Sequence, residues 1–257
     1  MVKIKEITDF LYGLAPVYLA EDYDNVGLLV ESENEETESV LISLDTDSAV
    51  AEEAKEKGCG LLISHHPLIF KPLKKIAKDD AVFSLVKNNI ALYAMHTNYD
   101  AVRGGLCDVL LNKIGEFDNV TGLEQDEPDG IGRIAELKCE MTLSEFSQNI
   151  KDALGIDNLR IVGEDDKKIK TVAICNGGGA DFVYDAKGKG ADVYISGDFK
   201  YHHARFAYEN DIALIEITHY DAEIIFIDAL AEILKDKFGD NLKIYKSVKN
   251  KNPWKTV

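Results

Sequence analysis

Apolar runs of strand length alternate with stretches of helical period along this chain. Val40-Leu41-Ile42-Ser43-Leu44 is a continuous apolar run that stops at Asp45. Residues 46–58 follow with Ala and Val returning at helical spacing, and Gly58 stands where the helix would end. Leu61-Leu62-Ile63-Ser64 and Ile90-Ala91-Leu92-Tyr93-Ala94-Met95 read as the next two strands. Strands separated by helical patterns predict βαβ units around a largely parallel sheet.

The pattern returns in the second half. Setting Val40 on Val172, an offset of 132, superposes Ile42 on Ile174, Ala54 on Ala186, Lys55 on Lys187, Gly58 on Gly190, Ile63 on Ile195 and Ser64 on Ser196. At an offset of 122, Ile90-Ala91-Leu92 falls on Ile212-Ala213-Leu214. Self-similarity of this kind predicts an α/β fold of two related lobes from an internal duplication, with a metal site in the cleft between them. Common βαβ composition is the competing explanation. Residues 121–137 are loop-rich and acidic with Pro and Gly turn signals. Thr142 followed by Glu145 reads as the capping box of a helix, so an extra strand, helix and strand are expected before residue 170. The expected division is 1–122 for the first α/β lobe and 123–222 for the second. Residues 223–257 would form a C-terminal helix and strand returning to the first lobe.

Composition narrows the picture. The 257 residues suffice for one large or two small cores. A formal charge of -17 disfavours non-specific nucleic-acid binding, which needs a basic surface. No apolar run approaches the roughly 20 residues that span a bilayer. The first residues carry acids by Glu6 and no basic segment leading into an apolar one, so a cytoplasmic protein is expected. Cys59, Cys107, Cys139 and Cys175 are scattered, which argues against a disulfide framework or a structural zinc cluster; Cys59 and Cys175 read as small buried residues.

All six histidines fall at or just past the C-terminal ends of predicted strands, where parallel α/β sheets bind ligands. One group is His65-His66, stiffened by Pro67. A second is His96 with Asp100 four residues on, and a third is His219 with Glu223 at the same spacing and the equivalent strand end. Taken alone, each histidine is more readily a satisfied core or surface side chain, and acids are at home in first helical turns. Taken together, imidazoles and carboxylates in repeat register point to a pair of divalent cations.

The fourth group, Gly197-Asp198 through His203, is the repeat partner of the His65-His66 turn with its imidazoles replaced. Lys200, Tyr201 and His202 are expected to face the same cleft, for anion steering or proton transfer, and His203 to be structural or exposed. Asn176-Gly177-Gly178-Gly179 suits anion approach at a helix start or, equally, a tight βα turn. Asp24-Asn25-Val26-Gly27-Leu28 is a polar turn entering a strand.

That turn, Leu44-Asp45, the run from Ile63 to Phe70, His96-Thr97-Asn98-Tyr99-Asp100-Ala101, Gly197-Asp198 with Tyr201-His202, and His219 with Glu223 resemble, in this order, the Nif-three-like proteins. These are also known as GTP cyclohydrolase I type 2 homologues. The resemblance covers residues 5 to 245 or so and implies a two-lobed subunit in a toroidal homohexamer. It implies a dinuclear centre held by His65, His66, Asp100, His219 and Glu223, with His96 beside the ligands as an orienting or protonating group. One departure is Ala222, where many members carry a small hydroxyl residue.

The resemblance further implies hydrolytic opening of the guanine ring of GTP with formate release. His96 and His202 would shuttle protons, and Lys200, Tyr201 and Asp45 would contact the nucleotide. Zinc, iron, manganese or nickel all suit such a site. Phosphoester hydrolysis and a metal-stabilised ring serving as an interaction module are the competing readings.

Overall fold

A computed structural model describes residues 1–124 and 129–255 of the chain. Residues 125–128 of the expected acidic loop lie outside the described residues. The chain begins with strand β1 (Val2–Lys3), helix α1 (Ile4–Leu14), β2 (Gly27–Val30), β3 (Glu36–Thr37) and β4 (Ser39–Ser43). Then come α2 (Ser48–Glu56), β5 (Leu61–Ser64), α3 (Ala81–Lys87), β6 (Ala91–Ala94) and α4 (Thr97–Ala101). The middle holds α5 (Leu106–Ile114), β7 (Phe117–Gly122), β8 (Arg133–Thr142), α6 (Leu143–Leu154), β9 (Arg160–Val162) and β10 (Lys168–Ile174). The remainder is α7 (Val183–Gly188), β11 (Val193–Ser196), α8 (Tyr201–Glu209), β12 (Ala213–Glu216), α9 (His219–Glu223), α10 (Ile225–Phe238) and β13 (Lys243–Lys246).

Two compact units result. The first comprises Met1–Tyr99 and Phe226–Pro253; the second comprises Asp100–Ile225 with the residues from Trp254 on. The first division falls at 99/100, where the sequence reading set it at 122/123. The reason is packing: Leu110, Leu111 and Ile114 of α5 share one apolar cluster with Phe146 and Ile150 of α6. At the other end Glu223 belongs to the second unit, whereas α10 from Phe226 and β13 belong to the first.

In the first unit a five-stranded sheet runs β13-β4-β5-β6-β2, parallel except for β2. Every residue of β4, β5 and β6 is buried, as a parallel strand covered on both faces must be. Leu41, Leu62 and Leu92 pack with Val50, Ala51 and Ala54 of α2 and Leu85 of α3. Asp47 starts α2 by accepting from the backbone N–H groups of Ala49 and Val50 at 2.9 and 2.8 Å.

In the second unit a six-stranded sheet runs β7-β8-β10-β11-β12-β9, with β10, β11 and β12 parallel and antiparallel strands beyond them. Ile174, Ile195 and Ile215 meet Phe146 and Ile150 in its core. Helix α6 carries the expected capping box between Thr142 and Glu145 and ends on Gly155 in the left-handed region.

The two parallel cores match position by position. Val40 lies beside Leu61 and Leu61 beside Ala91; at the corresponding offsets Val172 lies beside Val193 and Val193 beside Ala213. Asn89 and Asp211, an offset of 122 apart, both take positive φ, 53° and 50°. The turns after α3 and α8 close with the same bond, Ile90 N–H to the Leu85 carbonyl and Ile212 N–H to that of Ala207. Among the described residues no helix is long and apolar enough to cross a membrane.

Candidate functional site

In the first unit the donors sit at the C-terminal ends of β5 and β6. The His65 and His66 backbone N–H groups bond the carbonyls of Ser43 and Leu44, fixing the turn against the end of β4. Ser64 Oγ reinforces it by donating to the His66 carbonyl at 2.8 Å. The buried His65 ring donates from Nδ1 to the Met95 carbonyl at 2.7 Å and packs 5.1 Å from the Phe226 ring. His66 donates from Nδ1 to Asp45 Oδ1 at 2.7 Å, and His96 from Nδ1 to Asp24 Oδ2 at 2.9 Å. The three ring centroids lie 5.1, 5.3 and 5.5 Å apart, and each ring can offer a nitrogen such that all three lie within 4.8 Å of one another.

Asp24 anchors this arrangement. Its side chain is fully buried and also accepts from the backbone N–H and hydroxyl of Thr97, at 3.1 and 2.5 Å. Burial pushes its carboxyl up, but the hydrogen bonds from His96 and Thr97 outweigh that and hold it at about 2. Asn98 completes the turn by accepting from the His96 N–H and donating to the Ala15 carbonyl at 2.7 Å.

In the second unit the donors gather around Asn176, at the end of β10. Its amide Nδ2 donates to Asp100 Oδ1 at 2.9 Å and to Glu223 Oε1 at 3.3 Å, and its Oδ1 accepts from the Cys107 thiol at 2.6 Å. An amide carries no charge, so Asn176 orients these two buried carboxylates without neutralising them. Next to it Gly177 has φ +61°, and a Cβ there would stand 2.0 Å from Glu223 Oε1. Only glycine fits. The nearby Cys175 thiol is held protonated, its pKa raised well above the ordinary value by a hydrogen bond with Cys107 and by burial.

Helix α9 presents His219 and Glu223 one turn apart, started by Thr218, whose hydroxyl accepts from the Asp221 N–H. His219 donates from Nδ1 to Asp198 Oδ2 at 2.9 Å, while its Nε2 lies 3.0 Å from Glu223 Oε2. A carboxylate only accepts, so Nδ1 carries a proton; Nε2 then faces Glu223 as a donor in the charged ring or as a lone pair in the neutral one. Two lone-pair centres at that separation call for a cation or a proton between them.

The same logic extends to the other three rings. Each Nδ1–H meets an acceptor, Met95, Asp45 or Asp24, so Nε2 is the nitrogen each neutral ring offers. Engagement of one ring nitrogen by a carboxylate or carbonyl is how proteins orient metal-binding histidines. The donor set therefore fits divalent metal ions of the borderline class, zinc through nickel.

A third grouping, Asp181, His202 and His203, fails the same test. His203 Nδ1 accepts from the Lys200 backbone N–H at 3.1 Å, so its proton is on Nε2, which donates to Asp181 at 2.9 Å. Both nitrogens of this buried ring are committed, and it closes the first turn of α8. His203 is structural, in accord with the sequence reading. His202, expected as a proton shuttle, is exposed with its ring 4.1 Å from that of His203. Among the described residues it groups with Asp181 and His203 and with no expected ligand.

Asp45, read as a nucleotide contact, orients His66. Lys200 and Tyr201 are exposed at the start of α8. His96, placed beside the ligands, shares the donor grouping of His65 and His66. Asn176 is read from the sequence only as part of an anion-approach or tight βα turn; its orienting role rests on contacts 76 and 47 positions away, out of reach of any local pattern. Its one signal was a polar residue following the strand where the first unit has Leu44.

Fold and donors define a class: an α/β protein with histidine–carboxylate groups at the ends of its parallel strands. A sequence profile of the family described as Duf34/NIF3 (NGG1p interacting factor 3) matches residues 2–253. A protein of Clostridium perfringens named GTP cyclohydrolase 1 type 2 homolog is 37% identical over 263 residues, covering 100% of both chains. A solved Staphylococcus aureus protein superposes with a TM-score of 0.91 at 31% identity, over 100% of this chain and 99% of that one. Reduced HcgD from Methanocaldococcus jannaschii superposes with a TM-score of 0.82 at 28% identity, over 95% of this chain and 97% of that one. The chain belongs to the Duf34/NIF3 family.

Proposed function

We propose that His65, His66, Asp100, His219 and Glu223 bind a pair of divalent cations and that the protein is a hydrolase acting through them. What supports the reading most is the His219–Glu223 pair, whose Nε2 and Oε2 stand 3.0 Å apart while Nδ1 donates to Asp198. When bound, the cations would supply Lewis acidity and acidify water at the site. The chain's own groups orient the rings and carry protons. Asp24, Asp45 and Asp198 hold His96, His66 and His219, and His96, part exposed and hydrogen-bonded to an ionised Asp24, is suited to move a proton.

The substrate we infer is GTP, opened at its guanine ring with release of formate, a reading supported by the name that the Clostridium perfringens relative carries. Incubation of the metal-loaded protein with GTP, followed by assay for formate and a pterin chromophore, tests it. Product formation that Glu223→Ala abolishes is the expected result; no turnover with full metal content would refute the cyclohydrolase activity. A homohexameric, cytoplasmic assembly is part of the same proposal. The family's description as an interacting factor favours a second reading, a metal-stabilised interaction module. Retained assembly and partner capture by His65→Ala, His66→Ala protein would favour it.

A further inference from the structure

Arg133 is the largest fully buried side chain, 1% exposed at the start of β8. Its guanidinium spends all its donors within the second unit. Nε and Nη2 donate to Asp108 Oδ2 at 3.0 and 2.8 Å, and Nη1 donates to the carbonyls of Gly130 and Gly132 at 2.7 and 2.8 Å. Nη2 also donates to the carbonyls of Ala101 and Val102, at 3.0 and 2.8 Å. These last two directly follow Asp100.

Helix α4 has five residues, too few to hold its own shape, because nucleation costs more than one turn of hydrogen bonds returns. The carbonyls at its end lack partners inside the helix, and a cation there also meets the negative end of the dipole. Arg133 supplies both. The same loop adds a second grip: the Gly130 N–H donates to the Ala101 carbonyl and Asp129 Oδ1 accepts from the Arg103 N–H at 2.7 Å. The backbone of residues 101–103 is thus clamped to the segment 129–133, and the clamp fixes where the Asp100 carboxylate meets Asn176.

We propose that Arg133 is a positioning residue for the metal site, acting through the backbone of Ala101 and Val102 to set Asp100. This rests on the reading of Asp100 as a ligand. Lysine cannot replace it, because an ammonium is a point charge without the planar fork that reaches Asp108 and the carbonyls at once.

The test titrates Co2+ into wild type, Arg133→Lys, Asp108→Asn and Asp100→Asn under competition with a chelator, recording affinity, the visible absorption of the bound ion and Tm of the metal-free protein. Arg133→Lys is expected to weaken Co2+ binding by about 10–100-fold and to alter the spectrum. Asp108→Asn removes a charge but leaves the carbonyl contacts, so it should lower Tm with affinity within about 3-fold of wild type. Loss of Co2+ in Asp100→Asn with wild-type binding in Arg133→Lys would overturn the positioning role. So would equal weakening in Arg133→Lys and Asp108→Asn in proportion to their loss of Tm. Unchanged Co2+ binding in Asp100→Asn would instead remove Asp100 from the ligand set. Should the lysine variant not fold, hydrogen exchange of wild type decides. Co2+ should slow exchange in residues 129–135 together with 97–102, and protection confined to 97–102 would overturn the proposal.

Discussion

At one register position the two units put opposite chemistry. After β5 the first unit has His65 and His66; after β11, at the offset of 132, the second has Gly197 and Asp198. After β4 the first unit has Asp45, which orients His66, and at the same offset the second has Gly177, which makes room for Glu223. The roles are exchanged. One unit carries imidazoles on the second strand's turn and the orienting carboxylate on the first. The other carries the orienting Asp198 on the second strand's turn and its imidazole on α9. A histidine could not stand at 197, since a Cβ there would meet the Gly177 carbonyl at 2.7 Å and the His219 N–H nitrogen at 3.1 Å. A shared backbone thus fixes where side chains emerge and leaves open which of them bind and which orient. The two units share strand register at these offsets.

Substitution at the exchanged pair should break this comparison most sharply. Gly177→Ala forces a side chain into the left-handed region, at about 1–3 kcal/mol, and drives its Cβ into Glu223. A lowered Tm in calorimetry and loss of bound metal are expected together. At the partner position, Asp45→Ala should leave Tm within about 1 °C while weakening metal binding about 10–100-fold, because only the orientation of His66 is lost. Equal effects at the two positions would contradict the exchange of roles.

Acid sharpens the first unit's side of the comparison. Asp24 titrates at about 2 in the folded protein against 3.8 for the ordinary carboxyl. Its pKa is depressed, so the stability it contributes is present above pH 4 or so and is lost as pH falls toward 2. Linkage puts the full effect at about 2 kcal/mol. Asp24→Asn should flatten the fall of Tm between roughly pH 4 and 2, and an unchanged slope would remove Asp24 as the anchor of His96. The smallest effect is expected at His202. His202→Ala should change neither metal content nor Tm by more than about 0.5 kcal/mol equivalent, being exposed and outside the ligand grouping.

Much of the first unit was legible because parallel strands buried on both faces write themselves as unbroken apolar runs. The expected strands at 40–44, 61–64 and 90–95 correspond to Ser39–Ser43, Leu61–Ser64 and Ala91–Ala94. The repeat offsets even reproduced the sheet register. The division at 99/100 was not legible, because α5 chooses its neighbours through contacts with α6, which local periodicity does not encode. Nor was the orienting layer. Asp24, Asn176 and Arg133 act through partners 72, 76 and 32 positions away, and each is a single polar residue in a turn or strand end. The exposure of His202 was likewise not legible, because the spacing of two adjacent histidines does not set which ring turns outward.

Elemental analysis of purified, metal-loaded protein tests the central claim most directly, with Glu223→Ala measured alongside. The account predicts about two divalent cations per wild-type chain and about one or fewer in the variant. Fewer than about one in wild type, or the same content in both proteins, would contradict it.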